Sequence, residues 1–105
     1  EESLENIREI KARYQHVGLC NHGTRYNAEL LAVLELGNLL ELAEVIALGA
    51  LARKESRGAH TRNDYPERDD KRFLKHLLAF KQGDGVRQEF QDVSITRFRP
   101  EARGY

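Results

Sequence analysis

The densest chemistry in this sequence lies between Ser56 and Asp70, in the run SRGAHTRNDYPERDD. His60 with Asp64 could form an acid–base pair. Arg57 and Arg62 could clamp a carboxylate, since a guanidinium offers a planar fork of donors that matches it. A plainer reading has the arginines and aspartates pairing with each other and with a neighbouring domain, because a catalytic constellation also needs a pocket around it. A loop with so many geometrically demanding groups is costly to order in free solution. We therefore read Arg57, His60, Arg62, Asp64, Arg68, Asp69 and Asp70 as an interdomain or subunit contact surface, and assign no catalytic or cofactor-binding residue within the chain.

Other chemistries find less support. Cys20, His22, His60, Asp64 and His76 contain ligand types, but no second Cys or His pair completes a zinc spacing, so no metal is expected. Cys20 stands alone and reads as a free structural thiol, compatible with a reducing compartment. Arg57, Arg62, Tyr65 and Arg68 place cations beside an aromatic ring, yet Asp64, Glu67, Asp69 and Asp70 cancel their field. The whole chain carries 17 basic and 17 acidic residues and no formal net charge, which argues against a nucleic-acid partner. Neither a glycine-rich dinucleotide fingerprint nor a P-loop nor a serine elbow is present.

The elements around this loop follow from periodicity. Leu4, Ile7, Ile10, Tyr14 and Val17 recur at steps of three and four, which predicts a helix from Ser3 to about Val17, with Ser3 as N-cap and Gly18 as its stop. Residues 18–26 read as a loop, and Asn27 is expected to cap a second helix running to about Lys54. That helix is apolar on most sides: Glu29, Glu35, Asn38, Glu41 and Glu44 fan around it with leucines between. The shorter first helix cannot cover it, so the chain is expected to self-associate or to need a partner surface. Glu35, Glu41 and Glu44 inside the apolar stretch argue against a membrane span.

Beyond Pro66, the segment from Phe73 to Phe80 fits either a strand or a helix capped by Asp69 or Asp70. The turn signal Gly83-Asp84-Gly85, followed by Val86 and Phe90, favours a β-hairpin, and Thr96 to Tyr105 reads as a basic, extended tail. The fold class expected is mainly α: a helical hairpin, then an irregular charged loop and a small C-terminal β-hairpin, with 1–55 as a helical segment and 56–105 as an extended one. No methionine occurs, and Glu1-Glu2-Ser3 leads directly into helical periodicity without a signal peptide, which reads as the interior of a longer chain.

The stretch ARKESRGAHTRNDYPERDD, followed by FLKHLLAF, is similar to the C-terminal region of succinate dehydrogenase and fumarate reductase flavoprotein subunits. NAELLAVLELGNLLELAEVIALGAL before it and VSITRFRP after it extend the resemblance over nearly the whole chain. L-aspartate oxidase resembles it around ESRG and the next histidine, but the RDD–FLKH continuation points to the dehydrogenase and reductase branch. The resemblance implies the second and third helices of a three-helix, spectrin-repeat-like bundle. It also implies FAD in the full-length subunit, with none bound by this segment. Implied partners are the flavin-binding and capping domains, an iron–sulfur subunit and, indirectly, membrane-anchor subunits. The implied location is peripheral, at the cytoplasmic face of the inner membrane. Succinate oxidation is the activity favoured, with fumarate reduction as the alternative. A free-standing helical interaction module is the reading from another class.

Overall fold

The computed structural model describes residues 1–101, so positions 102–105 of the expected tail lie outside the described residues. Three helices and one hairpin follow in order: α1 (Glu2–Tyr14), α2 (Ala28–Ala52), α3 (Asp70–Phe73), β1 (Lys75–Gln82) and β2 (Gly85–Asp92). The chain divides into two compact units, Glu1–Leu48 and Gly49–Tyr105.

In the first unit α1 and α2 run antiparallel. Lys11 Nζ meets Glu44 Oε2 at 2.5 Å and Arg8 Nε meets Glu44 Oε1 at 3.3 Å, while further along α1 Tyr14 Oη donates to the Val33 carbonyl at 2.9 Å. Gly37 lets Tyr14 lie this close: a Cβ there would stand 2.6 Å from Tyr14 Oη. Burial pushes the Glu44 carboxyl up, but the hydrogen bond from Lys11, the strongest influence on it, and that from Arg8 leave it below the usual carboxylate range.

Asn27 caps α2 as expected, its Oδ1 accepting from Leu30 N at 2.9 Å, while its Nδ2 holds the Asn21 and Gly23 carbonyls of the preceding loop. The caps predicted for α1 differ. Ser3 lies inside the helix, and the Glu1 carbonyl takes the first bonds from Leu4 and Glu5 N–H instead. The helix ends at Tyr14, before Gly18, but His16 N and Val17 N still bond back to Arg13 and Tyr14 carbonyls. That tightened turn explains why helical periodicity persists to Val17.

The core of this unit is thin. Leu4 and Leu40 are the buried apolar residues among those described, whereas Leu31, Leu34, Leu39, Leu42 and Ile46 are exposed, Ile46 to 70%. An under-covered α2 was the central expectation from sequence. No helix among the described residues is long and apolar enough to cross a membrane.

The second unit holds the charged loop and the hairpin. The ambiguous segment after Pro66 uses both options in turn. Asp69 caps the single turn of α3 by accepting from Lys71 N and Arg72 N at 3.1 Å each, and the chain then extends into β1. β1 pairs antiparallel with β2 from Lys75↔Asp92 to Gln82↔Gly85, leaving a two-residue connection. Gly83 opens that connection with φ +58, the left-handed conformation such a tight hairpin demands. Phe73 and Phe90 meet edge to face with ring centroids 5.7 Å apart, and Leu77 packs 3.4 Å from where a Cβ on Gly49 would stand.

Candidate functional site: a buried carboxylate clasp

The charged loop is built around a residue that the sequence did not single out. Glu55, three positions beyond the end of α2, is fully buried at 0% exposure. Its Oε1 accepts from Arg53 Nη1 at 2.6 Å and Arg57 Nε at 2.9 Å; its Oε2 accepts from Arg57 Nη2 at 3.0 Å and from the Asp69 backbone N–H at 2.8 Å. Four donors fill the acceptor capacity of one carboxylate, which is the condition for burying a charge without a large penalty. Burial pushes the Glu55 carboxyl up, yet hydrogen bonds from Arg57, the Asp69 amide and Arg53 outweigh it and leave the group below its ordinary value.

Each donor ties Glu55 to a different piece of chain. Arg53 also donates to the Phe73 and Lys75 carbonyls at 2.7 Å each, joining the end of α2 to the α3–β1 junction. Arg57 reaches on to Asp70 Oδ1 at 2.5 Å, and Glu55 and Asp70 together hold its guanidinium more firmly protonated. Asp70 Oδ2 accepts from Arg68 Nη2 at 2.8 Å, whose Nη1 donates to the Glu101 carbonyl at 2.7 Å. One relay therefore runs from α2 through the loop to the tail.

Arg62 performs a second task, closing the C-terminal end of α2. Its Nη1 donates to the carbonyls of Leu51 at 2.8 Å, Ala50 at 3.2 Å and Arg53 at 3.3 Å. Those carbonyls lack partners within a helix and carry the negative end of its dipole, so a guanidinium suits them. Arg62 is held in place by Asp64, which accepts from its Nε at 2.9 Å and Nη2 at 2.6 Å, and by the Tyr65 ring 4.8 Å below. The hydrogen bond from Arg62 holds the Asp64 carboxyl below the usual range.

His60 does not meet Asp64. Its Nε2 lies 3.2 Å from the Arg53 carbonyl, which assigns the ring proton to that nitrogen, and its backbone pairs with Arg57 across a turn where Gly58 has φ +59. The acid–base pair raised from sequence is thus not assembled, and Arg57 and Arg62 hold different carboxylates. No group of His, Cys, Asp and Glu able to hold a metal ion occurs among the described residues. An open groove of about 620 Å³ borders the cluster, lined by Lys54, Tyr65, Pro66, Glu67 and Lys71 among others.

Comparison with known proteins agrees with this architecture. The family model described as fumarate reductase flavoprotein C-term matches residues 1–105. The chain belongs to that family. The fumarate reductase flavoprotein subunit of Haemophilus influenzae is 42% identical over 106 residues, all of this chain but 18% of that protein. The Escherichia coli subunit of the same name is 44% identical over 108 residues, again 18% of its length. The succinate dehydrogenase flavoprotein subunit of Rickettsia bellii is 38% identical over 104 residues, 98% of this chain and 17% of that protein. A solved structure of E. coli quinol fumarate reductase superposes with a TM-score of 0.87 at 42% identity, over 94% of this chain and 17% of that one. The chain thus spans about a fifth of the length of these relatives, as their C-terminal domain.

The Glu55 clasp of this flavoprotein C-terminal domain carried a signal in the sequence. Arg53, Glu55 and Arg57 alternate cation, anion, cation, the spacing by which one carboxylate gathers a guanidinium from either side.

Proposed function

We propose that this domain is the structural C-terminal part of a flavoprotein subunit that interconverts succinate and fumarate with FAD, passing electrons to an iron–sulfur subunit and a quinone. The observation that carries the proposal is the match of one C-terminal family model along all 105 residues. The fumarate reductase relatives quoted at 42% and 44%, against 38% for the succinate dehydrogenase relative, favour the reductase branch. FAD, the capping and flavin-binding domains and the peripheral attachment to the inner membrane belong to the same reading.

Within that subunit the domain is a buttress. Arg57, His60, Arg62, Asp64, Arg68, Asp69 and Asp70 serve as the contact surface with the neighbouring domain or subunit. Their mutual pairing supports this reading, because a loop already ordered by Glu55 and Arg62 loses little further entropy on docking. The bordering groove, with Lys54, Glu67 and Lys71 on its walls, offers both signs of charge to the partner.

The full-length subunit carrying this domain tests the assignment. It is expected to purify with bound flavin and to reduce fumarate with an artificial electron donor. A subunit with flavin that turns over neither succinate nor fumarate would remove the assignment.

A further inference from the structure

The loop between α1 and α2 is fixed by its own bonds. The Glu29 carboxylate accepts from Cys20 N at 3.0 Å and Asn21 N at 2.7 Å, and Asn21 Oδ1 accepts from Gly23 N at 2.8 Å. The two bonds donated by Asn27 Nδ2 close the loop on the start of α2. Out of this frame projects Tyr26, with φ +49 and its side chain wholly in water. The ring makes no ring contact, and its hydroxyl no hydrogen bond, among the described residues. Backbone outliers of this kind persist only where the surroundings over-determine them, and they collect at functional sites. A glycine would suit the turn better, and the fold makes no use of the ring. The tyrosine therefore answers to something outside the domain.

Its neighbours define the chemistry of that contact. Beside the ring lies an open apolar hollow of about 420 Å³, bounded by Tyr26, Asn27, Ala28 and Leu31, and Leu31 is itself exposed. Arg25 is exposed and makes no side-chain hydrogen bond or ion pair among the described residues. Residues 18–26 contain no acid, and Glu29 just beyond them is occupied by the two amides. A projecting tyrosine beside an arginine is the composition of an interface anchor. A second copy docking here about a two-fold axis would set Arg25 against Arg25 with no carboxylate between them, so charge disfavours it. A loop whose shape is complete before contact suits a body that has folded separately, since little ordering entropy remains to be lost on docking.

We propose that Tyr26 anchors a docking site for a separate subunit of the electron-transfer complex, whose surface presents an apolar slot for the ring, an apolar side chain for the hollow and a carboxylate for Arg25. The site is built within the first compact unit, and none of its residues belongs to the charged loop. It rests on the reading of the domain as part of a flavoprotein subunit in a larger assembly.

The purified complex carrying the full-length subunit provides the test. Benzoylphenylalanine in place of Tyr26, activated by light and mapped by mass spectrometry, is expected to capture one peptide of a second subunit that contains an apolar residue and an Asp or Glu. Tyr26→Gly should raise the melting temperature of the isolated flavoprotein subunit yet weaken its association with the captured subunit about thirtyfold or more, the loss typical of an interface anchor. Tyr26→Phe should keep the association. Arg25→Glu should weaken it, and replacing the captured carboxylate with Lys in that background should restore it. Capture within the same polypeptide, of a second copy or of nothing overturns the proposal, as does unaltered association in Tyr26→Gly or failure of the charge exchange. Fumarate turnover by the isolated subunit with an artificial electron donor tests the family reading separately. Turnover without a second-subunit contact at position 26 rejects the anchor and leaves that reading standing, and the contact without turnover does the reverse.

Discussion

Arg57 lays Nε and Nη2 across the two oxygens of Glu55, at 2.9 and 3.0 Å, in an environment where Glu55 is completely buried. A bidentate pair of this kind fixes direction as well as distance, so Glu55 sets where Arg57 points and thereby where Asp70 and Arg68 sit. Glu55→Ala leaves the Arg53 and Arg57 guanidiniums and the Asp69 N–H without their acceptor. The expected loss is about 3–5 kcal/mol, the range for breaking a buried ion pair by removing one partner. Urea titration followed by circular dichroism measures it, and a loss below about 1 kcal/mol would place the cluster among solvent-screened pairs.

Stability should also depend on pH, with a defined sign. The carboxyls of Glu55 and Glu44 lie below their ordinary value of 4.5 in the folded chain. A depressed folded pKa means the unfolded chain binds protons more readily, so these groups contribute stability above the unfolded pKa and lose it as pH falls through the folded one. Melting temperature is therefore expected to hold from neutrality to about pH 5 and to fall steadily below it. In Glu55→Gln the acid slope should flatten, because one of the linked protons is gone, while Glu44, Glu29, Asp64 and Asp69 keep theirs. An unchanged slope in that variant would assign the acid sensitivity elsewhere.

How much of this was legible depended on whether the cause was local. Asn27 was readable as a cap because a side-chain oxygen before a helix needs only the next three residues to act. The same rule misplaced the start of α1, where the Glu1 carbonyl, with no sequence signature of its own, takes the first bonds. The stretch from Asp70 to Phe80 resisted a single reading because it contains a capped helical turn and then a strand, each too short for periodicity to declare. Glu55 escaped notice because burial of a charge is decided by what folds over it. The alternation of Arg53, Glu55 and Arg57 marks it as an acid that can be paired, but what buries it is the approach of Asp69 N–H from 14 residues away.

Gly37 is expected to be intolerant of even one methyl group. A Cβ there would meet Tyr14 Oη at 2.6 Å and Cζ at 2.9 Å, at the end of a side chain tied down by its hydrogen bond to the Val33 carbonyl. Gly37→Ala gains about 1 kcal/mol of helix propensity but forces the ring aside, and overpacking of this sort costs about 1–3 kcal/mol. The net change should be destabilising, and it should become stabilising in a Tyr14→Leu background, where the obstruction is gone. A double-mutant cycle by chemical denaturation reads this coupling directly. Additive effects would place Tyr14 away from Gly37.

Asn27→Ala should loosen both the start of α2 and the loop before it. The side chain supplies the acceptor for Leu30 N–H and two donors to the Asn21 and Gly23 carbonyls. Loss of an asparagine cap costs about 0.5–2 kcal/mol, and the two donor bonds lost with it place the expected value in the upper half of that range. Hydrogen exchange should quicken at Leu30, whose amide loses its partner, while the hairpin amides of β1 and β2 stay unchanged. Faster exchange throughout the chain would mean that the cap controls global rather than local opening.

Tyr26 sits immediately before that cap with φ +49, a left-handed conformation in a bulky residue, and its side chain stands fully in solvent at 103% exposure. The strained backbone is held by the turn that leads into Asn27, where Ala28 N–H returns to the Tyr26 carbonyl at 3.0 Å. The left-handed region costs a residue with a Cβ about 1–2 kcal/mol, and glycine escapes that cost while giving up about 0.5–1 kcal/mol of chain entropy. Since no burial is lost, Tyr26→Gly should raise stability by roughly 0.5–1 kcal/mol. Denaturant titration decides the sign. A destabilised Tyr26→Gly chain would overturn the assignment of net strain to this position.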